Sequence, residues 1–127
     1  MPIAYWCVLI AALLPYVWVI VAKASPAYDN HAPRAQLAQA TGYRQRANWA
    51  QLNAFEAFAP FAAGVIIAQV SSAAPGWVNG LALAFIGFRV LHGICYVLDW
   101  ATLRSLVWAS GFACVAGLFL AAARVLG

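Results

Sequence analysis

Charged residues are scarce in this sequence. Only 8% of its 127 residues are Asp, Glu, Lys or Arg, whereas 66% are hydrophobic. A soluble domain of this size carries about a quarter charged residues, so this chain has too few to cover a surface in water. That scarcity excludes a small soluble globule and predicts lipid as the solvent of a single membrane domain that spans residues 1–127.

Cysteine is also rare, and the basic residues are not clustered. Cys7, Cys95 and Cys114 show no metal-ligand spacing, and two of them lie deep in apolar runs. We therefore predict three free thiols, no disulfide and no metal site. The seven Lys and Arg residues are scattered along the chain, which is not the basic face that nucleic acid requires.

Long apolar runs make up most of the chain. Each contains 20 to 24 residues, and they cover about 3–22, 47–70, 77–98 and 104–126. This length crosses a hydrocarbon core of roughly 30 Å as an α-helix. The absence of sustained period-2 alternation excludes membrane strands. The sequence thus predicts an all-α, integral membrane four-helix bundle.

The cations are unequally divided between the two ends of this bundle. The 23–46 loop carries four of them, and the 99–104 turn, at the same end, carries Arg104. The end with both termini carries only Arg124. Because cytoplasmic loops are rich in Lys and Arg, we predict a cytoplasmic 23–46 loop and non-cytoplasmic termini, in the inner membrane if the cell is bacterial.

Small residues recur at four-residue spacing in the last two spans. They form two ladders: Gly76, Gly80 and Ala84; and Ala109, Ala113, Gly117 and Ala121. Such ladders allow helix backbones to approach closely in lipid, within a chain or between subunits. The sequence leaves both alternatives open.

Two spans carry polar stripes that lipid disfavours. Both sets follow the spacing i, i+3, i+7, i+10, which places each set on one face of its helix. The members are Arg46, Trp49, Asn53 and Glu56 in the second span, and Arg89, His92, Tyr96 and Asp99 in the third. Glu56 and Arg89 each lie nine residues from the cytoplasmic end of their span, roughly 14 Å deep by helix rise. An acid and a base at one depth are expected to form an ion pair.

These stripes allow two interpretations. Any one residue alone favours a structural ion pair with hydrogen-bonded neighbours. Taken together, Arg46, Arg89 and Arg104 outnumber Glu56, which favours a cationic cavity for an anionic ligand that enters from the cytoplasm. Tyr96 and Arg104 would stabilise a developing anion at its mouth.

Two segments resemble the MAPEG family, the membrane-associated proteins of eicosanoid and glutathione metabolism. One is RANWAQLNAFE at residues 46–56, with Pro60-Phe61 following. The other is Arg89-x-x-His92-x-x-x-Tyr96, followed by Arg104-Ser105. The order of these segments, the chain length and the number of spans also resemble the family.

The resemblance implies a homotrimer that binds glutathione, as co-substrate, between neighbouring subunits near the cytosolic face. A lipophilic electrophile would reach the site from the bilayer. Asn53 and Glu56 would contact the glutathione backbone, and Arg89 would pair with Glu56 and help to hold it. His92 and Tyr96 would line the same pocket. The resemblance places Arg104 near the thiol, with Ser105 adjacent, and a cation there favours the reactive thiolate.

The sequence departs from the family pattern at one important position. The mammalian enzymes usually carry an arginine seven residues before the glutamate, where this chain has Trp49. Arg46, one turn earlier, is a candidate replacement. Two other functions stay open: a small proton-coupled multidrug transporter that uses Glu56, and a non-catalytic membrane scaffold with the same fold.

Overall fold

The computed structural model describes residues 1–127 and contains helices but no strands. Its five helices are α1 (Ile3–Ala22), α2 (Pro33–Ala38), α3 (Gly42–Val70), α4 (Pro75–Val97) and α5 (Ala101–Ala122). All except α2 are long and apolar enough to cross a membrane. The predicted all-α membrane bundle of four long helices is confirmed.

Helices α3 and α5 begin before their apolar runs at the end that holds the 23–46 loop. Helix α3 begins at Gly42, before the apolar run at 47, and α2 lies within the segment predicted as a loop. Hydropathy marks where a helix meets lipid, whereas backbone hydrogen bonding continues through polar residues such as Arg44 and Gln45. The polar start of α3 therefore projects beyond its apolar portion.

The α1–α2 connection contains a short polar turn. The backbone N–H and the Nδ1 atom of His31 lie 3.0 and 2.7 Å from Asp29 Oδ1. These hydrogen bonds, the backbone one first, hold the pKa of the Asp29 carboxyl below its usual value. Asp29 and His31 are both exposed, and they precede the polar residues of α3 and α4 in the sequence.

Three long helices end in the same way, without glycine. Ser72, Asp99 and Arg124 adopt left-handed φ values of 54°, 61° and 64° after α3, α4 and α5. After α4, the Trp100 and Asp99 N–H groups donate to the Cys95 and Tyr96 carbonyls at 2.9 and 3.2 Å, which is the Schellman pattern. These bonds satisfy carbonyls that would otherwise be unpaired at the membrane surface.

The bundle is assembled from two helix pairs, α1 with α3 and α4 with α5, joined by the α3–α4 contact. Phe61 of α3 stacks on Phe85 of α4 with ring centroids 3.9 Å apart, and both are almost fully buried. Leu118 of α5 and Val65 of α3 are buried in the same cluster. This core lies toward the termini, so it leaves the loop end of the bundle to the polar faces of α3 and α4.

A close helix crossing fixes α1 against α4. A Cβ atom built on Gly93 would overlap the indole ring of Trp18, so only glycine fits beneath this side chain. Trp18 is buried and also packs against Ala50 and Ala54 of α3. The Gly93–Trp18 contact therefore holds α4 at the distance from α1 that orients its polar face.

The small-residue ladders differ in their surroundings. Gly76, Gly80 and Ala84 are exposed, and a Cβ on either glycine would meet no atom within 4 Å. In the other ladder, Gly117 is buried against Leu81 while Ala113 is exposed. The α5 ladder therefore packs partly against other helices of the chain, whereas the glycines of the α4 ladder face open space.

Candidate functional site

A cavity of about 180 Å³ lies among α3, α4 and α5. Three polar side chains, Asn53, Glu56 and Arg89, line one part of it. The remaining lining residues are apolar or small: Ala57, Pro60, Phe85, Trp108, Gly111, Phe112 and Val115. The i, i+3 spacing of Asn53 and Glu56 explains why both reach the cavity from one helix.

The Arg89 guanidinium is the buried cation of this site. Arg89 is only 5% exposed, and its Nη2 atom donates a 2.7 Å hydrogen bond to Asn53 Oδ1. Burying a guanidinium is costly unless its donors are satisfied, and one amide oxygen accepts only part of what its five N–H groups offer. Arg89 therefore has donors left for an anionic group in the cavity.

The predicted direct ion pair between Glu56 and Arg89 is wrong. The only contact between an acidic and a basic side chain within ion-pair distance joins His31 Nδ1 and Asp29 Oδ1 in the exposed turn. Glu56 is exposed at the rim of the cavity, whereas Asn53, one helical turn earlier, lies closer to the interior and takes the Arg89 donor. A neutral amide accepts this bond without the cost of burying a second charge. Glu56 and Arg89 nevertheless line the same cavity.

A second cavity, of about 190 Å³, adjoins the first. Asn53 and Trp108 line both cavities, and the other residues of the second are His92, Tyr96, Arg104 and Ser105. The structure thus brings the polar residues of α4 together with the start of α5. A wider open groove of about 420 Å³ continues from Asn53 along Trp49, Leu52, Glu56 and Tyr96.

His92 contributes a buried atom that lacks a hydrogen bond. The residue is 3% exposed, and its Nδ1 atom has no hydrogen-bond partner. Leaving a buried polar atom unpaired costs about 1–3 kcal/mol. Such an atom beside a cavity is typical of a site that the polar group of a ligand completes.

Arg104 is held at the second cavity by an aromatic ring. Its guanidinium carbon lies 4.5 Å from the centroid of the Tyr96 ring, a cation–π arrangement. Tyr96 also contacts Trp49, at 6.3 Å between ring centroids, and His92, at 5.6 Å with nearly perpendicular planes. Trp49 thus supports the ring that positions Arg104. Ser105, the next residue along α5, is exposed.

Arg46 stands apart from the other predicted site residues. Its Nε atom donates to the Val97 carbonyl oxygen at 3.0 Å, near the end of α4. Arg46 lines none of the cavities that contain Asn53. In this structure it ties α3 to the end of α4. It does not take the position of the missing arginine at Trp49.

The apolar part of the first cavity was not predicted from the sequence. Phe85, Trp108, Gly111 and Phe112 lie in runs that are apolar throughout, so no contrast of polarity marks them. Only the crossing of α5 over α3 and α4 identifies which of its many apolar residues face the cavity. Their spacing puts Trp108, Gly111 and Phe112 on one face of α5, but only the crossing shows that this face lines the cavity.

The fold and this site define a multi-pass integral membrane protein with a polar cavity set between its helices. Comparison with protein-family models gives a match to the MAPEG family over residues 3–124. The chain therefore belongs to the MAPEG family. No curated protein and no solved structure matches this chain.

Proposed function

We propose that this protein is a glutathione-dependent transferase or peroxidase that acts on lipophilic electrophiles within the membrane. The observation that carries the proposal is the convergence of the Arg89–Asn53 bond, the unpaired His92 Nδ1 and the Arg104 cation on two adjoining cavities. Membership of a family that is generally associated with glutathione supports the same ligand.

The charges of the site suit the groups of a glutathione molecule. Arg89 retains donors for a carboxylate or a peptide carbonyl, and Asn53 lines both cavities and the open groove that continues from them. The exposed Glu56 carboxylate suits the ammonium group of the γ-glutamyl residue. Arg104 would lie beside the sulfur, where a fixed cation favours the thiolate, with Tyr96, His92 and Ser105 around it.

We further propose a homotrimer with glutathione bound between subunits. The exposed α4 ladder provides a surface for close helix contact with another copy. A separate groove of about 520 Å³ between α1, α2 and α3 is lined by Lys23, Arg34, Asn48 and Gln51, among others. In a ring of identical subunits, this groove on one subunit would face the Glu56 side of the next subunit. Lys23 and Arg34 would then add positive charge for a ligand that carries two carboxylates. The 23–46 loop would then lie in the cytosol, as the positive-inside rule indicates.

The direct test is the thermal stability of the detergent-purified protein with and without glutathione. A ligand present at 100 times its Kd stabilises the native state by about 2.7 kcal/mol, so we expect a clear rise in Tm at millimolar glutathione. Mass measurement of the intact complex should give three subunits, and a generic aryl halide should be conjugated. Cysteine, which lacks the γ-glutamyl and glycine parts, serves as the control ligand. An unchanged Tm together with no conjugation would reject the proposal.

Replacing Glu56 by Gln tests ligand contact separately from folding. Because Glu56 forms no ion pair in the subunit, we expect Glu56→Gln to leave the Tm of the free protein almost unchanged. A hydrogen bond to a charged group contributes about 1.5–3 kcal/mol, so glutathione affinity should fall by roughly tenfold or more, measured by calorimetry. A Glu56→Gln protein that loses stability and keeps its affinity would assign this residue a structural role instead.

A further inference from the structure

The Tyr96 side chain lies between two spaces of the site. It lines both the second cavity and the open groove. Arg104 lines the second cavity and not the groove, whereas Trp49 lines the groove and not the second cavity. A thiol bound beside Arg104 would therefore lie outside the space that Trp49 lines. An effect of Trp49 on that thiol would have to pass through Tyr96.

The position of the Arg104 guanidinium depends on the Tyr96 ring. The Arg104 side chain makes no hydrogen bond and no ion pair within the subunit, and its guanidinium carbon lies 4.5 Å from the ring centroid. An arginine side chain has a long flexible stem, and the aromatic face on which its guanidinium stacks restrains it. A rotation of the Tyr96 ring would therefore move the positive charge of the second cavity.

Two aromatic rings orient Tyr96. The His92 ring meets it nearly perpendicularly at 5.6 Å, and the Trp49 indole meets it at 51° with ring centroids 6.3 Å apart. Aromatic pairs at such separations attract each other and prefer tilted or edge geometries over a face-to-face sandwich. His92 belongs to α4, as Tyr96 does, whereas Trp49 belongs to α3. The Trp49 contact therefore couples the position of α3 to the cation at the start of α5.

We propose that Trp49 is a positioning residue for thiol activation, because its indole holds the Tyr96 ring that places the Arg104 guanidinium beside the thiol. The inference rests on the proposed function, since it assumes a thiol at Arg104. The thiol loses its proton to water, and the guanidinium stabilises the thiolate that remains. Trp49 acts on this step through Tyr96 and does not contact the sulfur. This role accounts for an aromatic residue where the mammalian enzymes usually carry arginine.

The experiment measures kcat and the KM for glutathione in wild type, Trp49→Ala and Trp49→Phe, with 1-chloro-2,4-dinitrobenzene as the electrophile. Misplacing a catalytic group by about 1 Å costs up to about 100-fold in rate, so we expect Trp49→Ala to lower kcat by about tenfold. The KM should change by less than about twofold, because no ligand contact is lost. Trp49→Phe keeps a ring beside Tyr96 and should recover most of kcat. The control is Trp6→Ala, which removes an exposed indole of α1 that lines none of these cavities and should match wild type.

The pH dependence of kcat separates positioning from a general loss of structure. A free thiol ionises with a pKa of about 8.5, so the Trp49→Ala rate should continue to rise toward that pH, whereas the wild-type rate should level off earlier. Trp49 is 43% exposed, and its truncation should leave the Tm of the free protein almost unchanged. A lowered Tm with a wild-type pH profile would assign Trp49 a structural role and overturn the proposal.

A double-mutant cycle tests whether Trp49 acts through Arg104. If it does, the two substitutions are not additive, and Trp49→Ala should lower kcat by less than about twofold when Arg104 is already alanine. An equal loss of kcat with and without Arg104, or a raised KM with unchanged kcat, would overturn the positioning role and leave the proposed function intact. If wild type conjugates nothing and glutathione does not shift its Tm, the proposed function and this inference both fail.

Discussion

Replacing Arg104 by Ala should lower kcat for glutathione conjugation by about 10²–10³-fold, with little change in glutathione affinity. Arg104 is the cation of the second cavity and is held in place by the Tyr96 ring. A preorganised group aimed at developing or reacting charge contributes about this much to a rate. The expected loss is in kcat because the guanidinium stabilises the thiolate more than it stabilises the neutral bound thiol.

The pH profile distinguishes this role from a structural one. A free thiol ionises with a pKa of about 8.5, so the Arg104→Ala rate should continue to rise through that pH, whereas the wild-type rate should level off earlier. Arg104→Lys, which keeps the charge, should recover part of kcat. The control is Arg124→Ala, because Arg124 instead donates to the Ser71 and Ser72 carbonyls at the other end of the bundle. A kcat for Arg104→Ala within threefold of wild type would remove this residue from the chemistry.

The second large effect concerns folding. Gly93→Ala should destabilise the protein by about 3 kcal/mol, because the added methyl group overlaps the Trp18 indole and the two helices must separate. Separation of α1 from α4 would also displace His92 and Tyr96, which lie on either side of Gly93 in sequence. We therefore expect a reduced Tm in detergent together with a loss of glutathione-induced stabilisation.

A second substitution can restore the fit. Trp18→Leu removes the ring that the methyl group overlaps, so Trp18→Leu combined with Gly93→Ala should be more stable than Gly93→Ala alone, measured by the same unfolding assay. The control is Gly87→Ala, because Gly87 is an exposed glycine of α4 and an added Cβ would meet no atom within 4 Å. Replacing such a helical glycine by alanine should raise the free energy of unfolding by up to about 1 kcal/mol. A Gly93→Ala protein as stable as wild type would show that this helix crossing tolerates separation.

Several features of the site follow from helical periodicity alone. The i, i+3, i+7 spacing that aligns Asn53 with Glu56, and Arg89 with His92 and Tyr96, is a property of one helix and can be counted along the chain. The partner of each side chain cannot be counted in this way. Arg89 bonds to Asn53 and not to Glu56 because the rotation of α3 relative to α4 brings the amide closer. Arg46 shares the stripe of Asn53 but reaches the Val97 carbonyl, because α3 extends beyond the apolar core at this end.

Composition and hydropathy are enough to assign this protein as a helical membrane bundle, because scarce charge and four apolar runs allow no other solvent or regular structure. The sequence also identifies the polar residues of α3 and α4, because polar groups stand out in an apolar helix. Only the packed bundle reveals which hydrogen bonds these residues make, which nitrogen of His92 lacks a partner, and which apolar residues of α5 enclose the cavity. These depend on the rotation and spacing of neighbouring helices, which are set by contacts between distant residues such as Trp18 and Gly93.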